Sequence, residues 1–250
     1  MLRLKPGCEL ELVDQGSHRS YRGRLTAIES NAGIVEIEYE LPSLASSPVT
    51  LIVGAGKAAI CDFIVEKSVE LGVAHVAFFG GERSQGRLTI EQAAKRGLRF
   101  KRIVEAAVKQ SGASGKPLQV TYCKDLVQIL SKLHFSPKTR RELRLVLQPH
   151  SPNLLNVMRL ETSFDFAALA DNSAGDSPGA VTISSLEKEA QNAESYLIVG
   201  PEGGVTEDER AFALRHDYLE ASLGPKVMRT ETACLVGAAL VSLFQWKLRA

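Results

Sequence analysis

Two glycine turns near the C-terminus carry the residues best suited to holding a small ligand. Tyr196-Leu197-Ile198-Val199 reads as a short buried strand that runs straight into Gly200-Pro201-Glu202-Gly203-Gly204. Three glycines there let the backbone turn tightly and approach a ligand. Thr206 and Glu209 stand at capping-box spacing, so the turn is predicted to end at a helix N-terminus with free N–H groups. A second turn follows. Leu219–Leu223 is predicted as a strand leading into Gly224-Pro225 and Lys226-Val227-Met228-Arg229, with Thr230 as the N-cap of the final helix. Arg229, Thr230, Glu231 and Thr232 crowd the start of a helix, Ala233–Leu248, that is otherwise apolar. Its small residues, Ala233, Gly237, Ala238 and Ala239, permit close approach of a neighbour, as a buried core helix also would.

The elements that must position these turns form an α/β pattern. From Val49 onward strands alternate with helices, the signature of a largely parallel sheet. Val49–Val53 is a strand, Ala58–Leu71 a helix stopped by Gly72, and Val73–Phe79 the next strand. Ile90–Ser111 is helical with a predicted break at Gly97, and Val120–Tyr122, Leu126–Leu133 and Leu143–Leu147 continue the alternation. Asp171–Ala180, rich in Gly, Ser, Asn and Asp, is expected to be a surface loop. Ligands of such sheets bind at the carboxyl ends of the strands, where both glycine turns fall. Before Val49 the pattern differs. Cys8–Val13, Tyr21–Ser30 and Ile34–Leu41 read as short strands of an antiparallel module. Pro42–Pro48 reads as a linker, which divides the chain into residues 1–47 and 48–250.

Composition narrows the class. At 250 residues, with 44% hydrophobic and 24% charged residues, the chain has the make-up of a soluble globular protein. No apolar run approaches the roughly 20 residues that span a bilayer, and Met1–Gly7 lacks a secretory h-region, so a cytoplasmic location without membrane contact is expected. Cys8, Cys61, Cys123 and Cys234 lack metal-ligand spacing and read as ordinary thiols, with no metal expected. A net charge of +1 argues against nucleic-acid binding by bulk electrostatics. Two basic clusters remain, Lys95, Arg96, Arg99, Lys101 and Arg102, and Lys138, Arg140, Arg141 and Arg144; each is also what a solvated helix face looks like.

Gly200-Pro201-Glu202-Gly203-Gly204, with Leu223-Gly224-Pro225-Lys226-Val227-Met228-Arg229-Thr230-Glu231-Thr232-Ala233 after it, resembles the paired signature of the RsmE family of ribosomal RNA uracil-N3 methyltransferases, in the SPOUT superfamily. Glu66–Val73, Glu82-Arg83-Ser84, Glu105-Ala106-Ala107 and Gln110-Ser111-Gly112 extend the resemblance over nearly the whole chain. It implies a small PUA-like β-barrel, then a SPOUT-type α/β domain whose C-terminal segment is threaded into a trefoil knot. Periodicity itself says nothing of a knot. Family members usually begin with a further strand or two, so a barrel truncated at its N-terminus is expected. The segment from about Ser151 to Ala193 is longer than the family's, and Gly54-Ala55-Gly56-Lys57 replaces its more usual proline-containing turn.

The resemblance also implies S-adenosylmethionine (SAM) as cofactor, small-subunit ribosomal RNA or the 30S particle as substrate, and a homodimer with shared sites. The expected SAM contacts are Gly200, Pro201, Glu202, Gly203 and Gly204 from the first turn. Ser222, Leu223, Gly224, Met228 and Thr230 come from the second, and Leu147 and Gln148 from a preceding strand end. Arg229 is expected to stabilise charge developing on the base, Glu231 to accept its proton, and Arg83 to steer phosphate or base. The final helix is apolar on more than one face through Leu235, Val236, Leu240, Val241, Leu243, Phe244 and Trp246, which suits burial against a second copy.

Two other classes compete. Val49–Val53 followed by Gly54-x-Gly56-x-x-Ala59, a helix, a strand and Glu82 resembles a dinucleotide-binding fingerprint, which would make the chain an NAD(P)-dependent oxidoreductase. A non-catalytic RNA-binding module would use the β module and basic clusters. Neither explains the C-terminal signature.

Overall fold

The computed structural model describes residues 4–14, 16–17, 19–30, 32–41, 47–84, 88–111, 116–133, 142–154, 157 and 195–249. The expected loop at Asp171–Ala180 and the basic residues Lys138, Arg140 and Arg141 lie outside them.

Three strands, β1 (Glu9–Val13), β2 (Ser20–Ile28) and β3 (Gly33–Leu41), form an antiparallel sheet in the order β1-β2-β3. Cross-strand ion pairs line one another, with Arg22 on Glu11 at 2.6 Å and Arg24 on Glu9 at 3.1 Å and on Glu38 at 3.3 Å. These are exposed pairs, each worth about 0–1 kcal/mol. Leu25 is the buried hydrophobic residue of this sheet, while Ile28, Ile34, Ile37 and Tyr39 stay half exposed.

The larger sheet has six strands in the order β6-β5-β4-β8-β7-β9, every neighbouring pair parallel. These are β4 (Ser47–Gly54), β5 (Val73–Phe79), β6 (Gln119–Cys123), β7 (Leu143–Leu147), β8 (Ser195–Val199) and β9 (Leu219–Ala221). Parallel strands need crossovers, supplied among the described residues by α1 (Ala58–Glu70), α2 (Ile90–Ser111), α3 (Leu126–Leu133) and α4 (Glu207–Leu214). The last helix, α5 (Thr230–Arg249), follows β9.

Alternation along the strands builds two cores. Leu51, Val53, Val76, Phe78, Leu145, Leu197 and Val199 face α1, α2 and α5. Ile52, Ala77, Phe79, Val146 and Ile198 face α3 and α4 on the other side. Burial on both faces is why these strands read as near-continuous apolar runs.

Two expectations are corrected. Gly97 does not break α2, which is continuous, because the inward anchors on either side fix the helix: Phe100 stacks on Phe78 at 5.3 Å, and Val104 and Ala107 are buried. Arg144 is no solvated cation. Only 3% of its side chain is exposed, and it bonds Glu142 at 2.7 Å and the His216 carbonyl at 2.8 Å. It sits on β7, so its partners tie that strand to the turn after α4.

Candidate functional site

The carboxyl ends of β4, β8, β7 and β9 are adjacent, and the turns that follow them come together there. Between β4 and β8 the direction of winding changes, since α1 follows β4 onto one face and α4 follows β8 onto the other. Such a switch point leaves a crevice in an open sheet. Here the chain fills it itself. A Cβ on Gly54 would lie 2.3 Å from Pro201 Cδ and 2.4 Å from Pro201 N, so the end of β4 accepts the first glycine turn only because it lacks a side chain.

That turn is drawn tight by Gly204 N donating to the Pro201 carbonyl at 2.8 Å. Gly200 packs so closely under it that a Cβ would lie 2.7 Å from Val205 N. The turn delivers the chain into α4 through a complete capping box: Glu209 N donates to Thr206 Oγ1 at 3.2 Å, and Thr206 N to Glu209 Oε2 at 2.9 Å. Gly204 has φ +73° and Gly224 φ +137°, and a Cβ on either would meet nothing within 4 Å. Both present bare backbone to open space in conformations that L side chains rarely adopt, which is what a ligand read by main-chain groups requires.

The second turn is fixed from beneath. Arg210 of α4 grips Glu220 of β9, Nη2 to Oε2 at 2.8 Å, and this bond holds the Glu220 carboxyl below its usual range. Gln148 N donates to the Ala221 carbonyl at 2.9 Å, bringing the end of β7 to the end of β9. Beyond β9, Ser222 N donates to the Pro152 carbonyl and Leu154 N to the Ser222 carbonyl, both at 2.8 Å. Ser222 therefore ends in a bridge to Asn153 rather than continuing the expected strand to Leu223. Pro152–Leu154 is a wall of the site that sequence reading missed; the polar Ser151-Pro152-Asn153 run after a buried strand is its faint signal.

The expected site residues largely converge. Leu147 and Gln148 end β7 half buried, Ser222 is buried, and Leu223, Gly224 and Met228 are half buried along the second turn. Thr230 joins the two turns, its buried hydroxyl donating to the Gly200 carbonyl at 3.1 Å. It is therefore the first residue of α5 and not its N-cap; Ala233 N bonds the Arg229 carbonyl at 2.9 Å, which puts Arg229 in the capping position. Arg83, although distant in sequence, reaches the first turn and donates to the Gly203 carbonyl at 3.1 Å. Arg229 is exposed and Glu231 half buried at the mouth of α5. Pro201 and Glu202 point elsewhere: Pro201 against Gly54, Glu202 with Oε1 2.9 Å from where a Gly56 Cβ would stand.

The position of Glu202 bears on the dinucleotide reading. In that fingerprint the helix after the first glycine turn receives a pyrophosphate at its N-terminus. Here a carboxylate of the chain lies against Gly56, just before α1, where negative charge is favoured. With Pro201 closing Gly54, the turn is an internal contact. Beneath the site, burial pushes the Cys61 and Cys234 thiols up, so neither is poised as a nucleophile.

A parallel sheet with bare glycine backbone at its carboxyl ends defines an α/β ligand-binding domain. Comparison with known proteins then gives the family. A model of the RNA methyltransferase domain matches residues 43–242, and the chain belongs to that family. Among curated proteins it is 27% identical over 198 residues to ribosomal RNA small subunit methyltransferase E of Bacillus subtilis (strain 168), covering 78% of this chain and 66% of that protein. The solved ribosomal RNA small subunit methyltransferase E of Neisseria gonorrhoeae, bound to SAM, is 26% identical with a TM-score of 0.68, covering 97% of this chain and 85% of that one. A Legionella pneumophila protein solved with SAM, 23% identical with a TM-score of 0.67 over 97% of this chain and 85% of that one, shares the fold. The family resemblance read from the two glycine motifs is thus matched over residues 43–242. No helix among the described residues is long and apolar enough to cross a membrane.

Proposed function

We propose that this protein is a SAM-dependent methyltransferase acting on N3 of a uridine in 16S ribosomal RNA. The observation that carries the reading is the meeting of two bare glycine turns, Gly200–Gly204 and Ser222–Met228, at the ends of β8 and β9 on either side of β7, latched by Thr230. The similar Neisseria protein holds SAM. Leu147, Gln148, Gly200, Gly203, Gly204, Ser222, Leu223, Gly224, Met228 and Thr230 are the proposed SAM contacts, with Pro201 and Glu202 shaping the first turn from behind.

SAM, when bound, supplies a methyl carbon activated by its sulfonium. The uracil N3 forms a bond to that carbon as the carbon–sulfur bond breaks, and the N3 proton must leave. Glu231 is the proposed acceptor, and the Arg229 guanidinium stabilises the charge gathering on the ring. Arg83, held by the Gly203 carbonyl, orients base or phosphate beside the first turn. Alignment of nucleophile and methyl carbon supplies much of the rate, which is a reason for the turns to be so firmly braced. The target base must be unstacked to enter.

The wider reading follows the same family likeness: residues 1–47 as a PUA-like barrel that helps hold RNA, residues 48–250 as a knotted SPOUT domain, and a cytoplasmic homodimer. Threading of Ser222–Arg229 past Pro152–Leu154, two segments already hydrogen-bonded, is where the knot would close. On α5, Cys234, Gly237, Ala238 and Val241 face the sheet while Leu243 is 62% exposed, leaving apolar surface for a second copy. The test of the cofactor site is SAM titration calorimetry on Gly204→Val and Gly224→Val. Both are expected to lose SAM binding with the circular dichroism spectrum kept; unchanged affinity in both refutes the site.

A further inference from the structure

Helix α2 carries a feature the proposed chemistry does not use. Lys95, Arg96, Arg99, Lys101 and Arg102 place five cations in eight residues, with no acid between Glu91 and Glu105, in a chain whose net charge is only +1. The charge is therefore concentrated, not an average property of the surface. The inward anchors Phe100, Val104 and Ala107 fix the rotation of the helix, so Lys95, Arg99 and Arg102 form one outward stripe over about 10 Å of helix length. They line an open trough of about 460 Å³ together with Leu98, Ile103 and Ala106. Among its described lining residues no carboxylate occurs, and Leu98 stands 66% exposed between the cations.

Helix α2 is tied to α1 through Arg99 of the stripe and to the first glycine turn through Arg96 beside it. Arg99 is held in place by Asp62 of α1, with nitrogens at 2.8 and 2.7 Å from Oδ2. Arg96 reaches Cys61 Sγ at 4.0 Å, and that thiol bonds the Gly56 carbonyl at 3.7 Å. Gly56 in turn backs Glu202 of the first glycine turn. Among the described residues, only Lys95 of the stripe has another acid within reach, Glu91 at 2.8 Å, in a pair at least three-quarters exposed on both sides and so worth little.

We propose that this outer stripe of α2 is the track for the phosphate backbone of the RNA substrate, leading from the methyl-transfer site along Lys95, Arg99 and Arg102. The inference rests on the RNA-methylating function proposed above. Phosphates match the three cations, and the exposed Leu98 and Ala106 offer apolar contact to sugar or base between them. Contacts of this kind position a nucleic acid without reading its sequence.

The test compares Lys95→Gln/Arg102→Gln with the control Lys116→Gln/Lys132→Gln, which removes the same charge from exposed positions off this helix. Affinity of the full-length proteins for 16S ribosomal RNA is measured by filter binding from 50 to 200 mM KCl. Each lost phosphate contact lowers the slope of log affinity against log salt by about 0.7–0.9. The α2 variant should therefore lose about 1.4–1.8 from the slope and bind at least about tenfold more weakly at 50 mM, with SAM affinity unchanged. The control should keep the wild-type slope. A wild-type slope in the α2 variant, or an equal loss in the control, overturns the assignment while the methyltransferase reading stands. A wild-type protein that neither binds nor methylates the RNA overturns both together.

Discussion

Replacing Gly54 by alanine tests whether the sheet's switch point is closed by the chain's own turn. The new Cβ would stand 2.3 Å from Pro201 Cδ and 2.4 Å from Pro201 N. The second of these is a backbone atom, which cannot swing aside as a side-chain tip can, so either β4 or the first glycine turn must move. Overpacking of this kind costs about 1–3 kcal/mol, and a backbone clash belongs at the upper end. At about 2–4 °C per kcal/mol for a domain of this size, a cost of about 3 kcal/mol lowers the melting temperature by about 6–12 °C. Because the displaced atoms belong to the turn proposed to hold SAM, affinity should fall at least about tenfold, or about 1.4 kcal/mol. Gly97→Ala is the matched control: its Cβ would meet nothing within 4 Å on a continuous helix, and it should stabilise by about 0.5–1 kcal/mol. Differential scanning fluorimetry with and without SAM reads both. A Gly54→Ala protein within about 0.5 kcal/mol of wild type and binding SAM normally would refute the reasoning.

Two further predictions concern stability and assembly. His75 bonds Thr121 Oγ1 at 2.9 Å, and burial holds its pKa below the ordinary value; the unfolded chain then binds more protons below about pH 6.5, so stability falls as pH drops through that range. His75→Gln should flatten the urea-denaturation stability profile between about pH 5 and 6.5 and leave it parallel to wild type above pH 7.5, and an equally steep acid loss would exclude His75 as its source. Size-exclusion chromatography with light scattering should give twice the 27.1 kDa chain mass at micromolar concentration; a monomer that binds SAM fully would refute the dimer and the shared site.

Much of the sheet was legible because parallel strands buried on both faces leave unmistakable apolar runs, and Val73–Phe79 and Leu143–Leu147 fall where the sequence put them. The capping box at Thr206 and Glu209 was equally plain, since its chemistry is local. What the sequence hid was non-local. Nothing near Gly54 reveals that Pro201 fills the space above it, so a closed contact resembled an open nucleotide turn. Thr230 has the chemistry of an N-cap, but a carbonyl thirty residues away in sequence takes its hydroxyl. Arg144 looked like part of a basic face although Glu142 stands two residues before it in the sequence, because its burial and its bond to the His216 carbonyl are assembled only by the fold. Arg83 was noticed through family likeness, and only the fold brings it to Gly203.

The central claim is that the paired glycine turns serve transfer of a methyl group from SAM to a uracil of small-subunit ribosomal RNA. The direct measurement is incubation of the protein with methyl-labelled SAM and 30S subunits lacking the modification, followed by nucleoside analysis of the digested RNA. The account predicts label in the 16S RNA as N3-methyluridine, abolished by Gly224→Val. Label in another nucleoside, or none with protein that binds SAM, would contradict it.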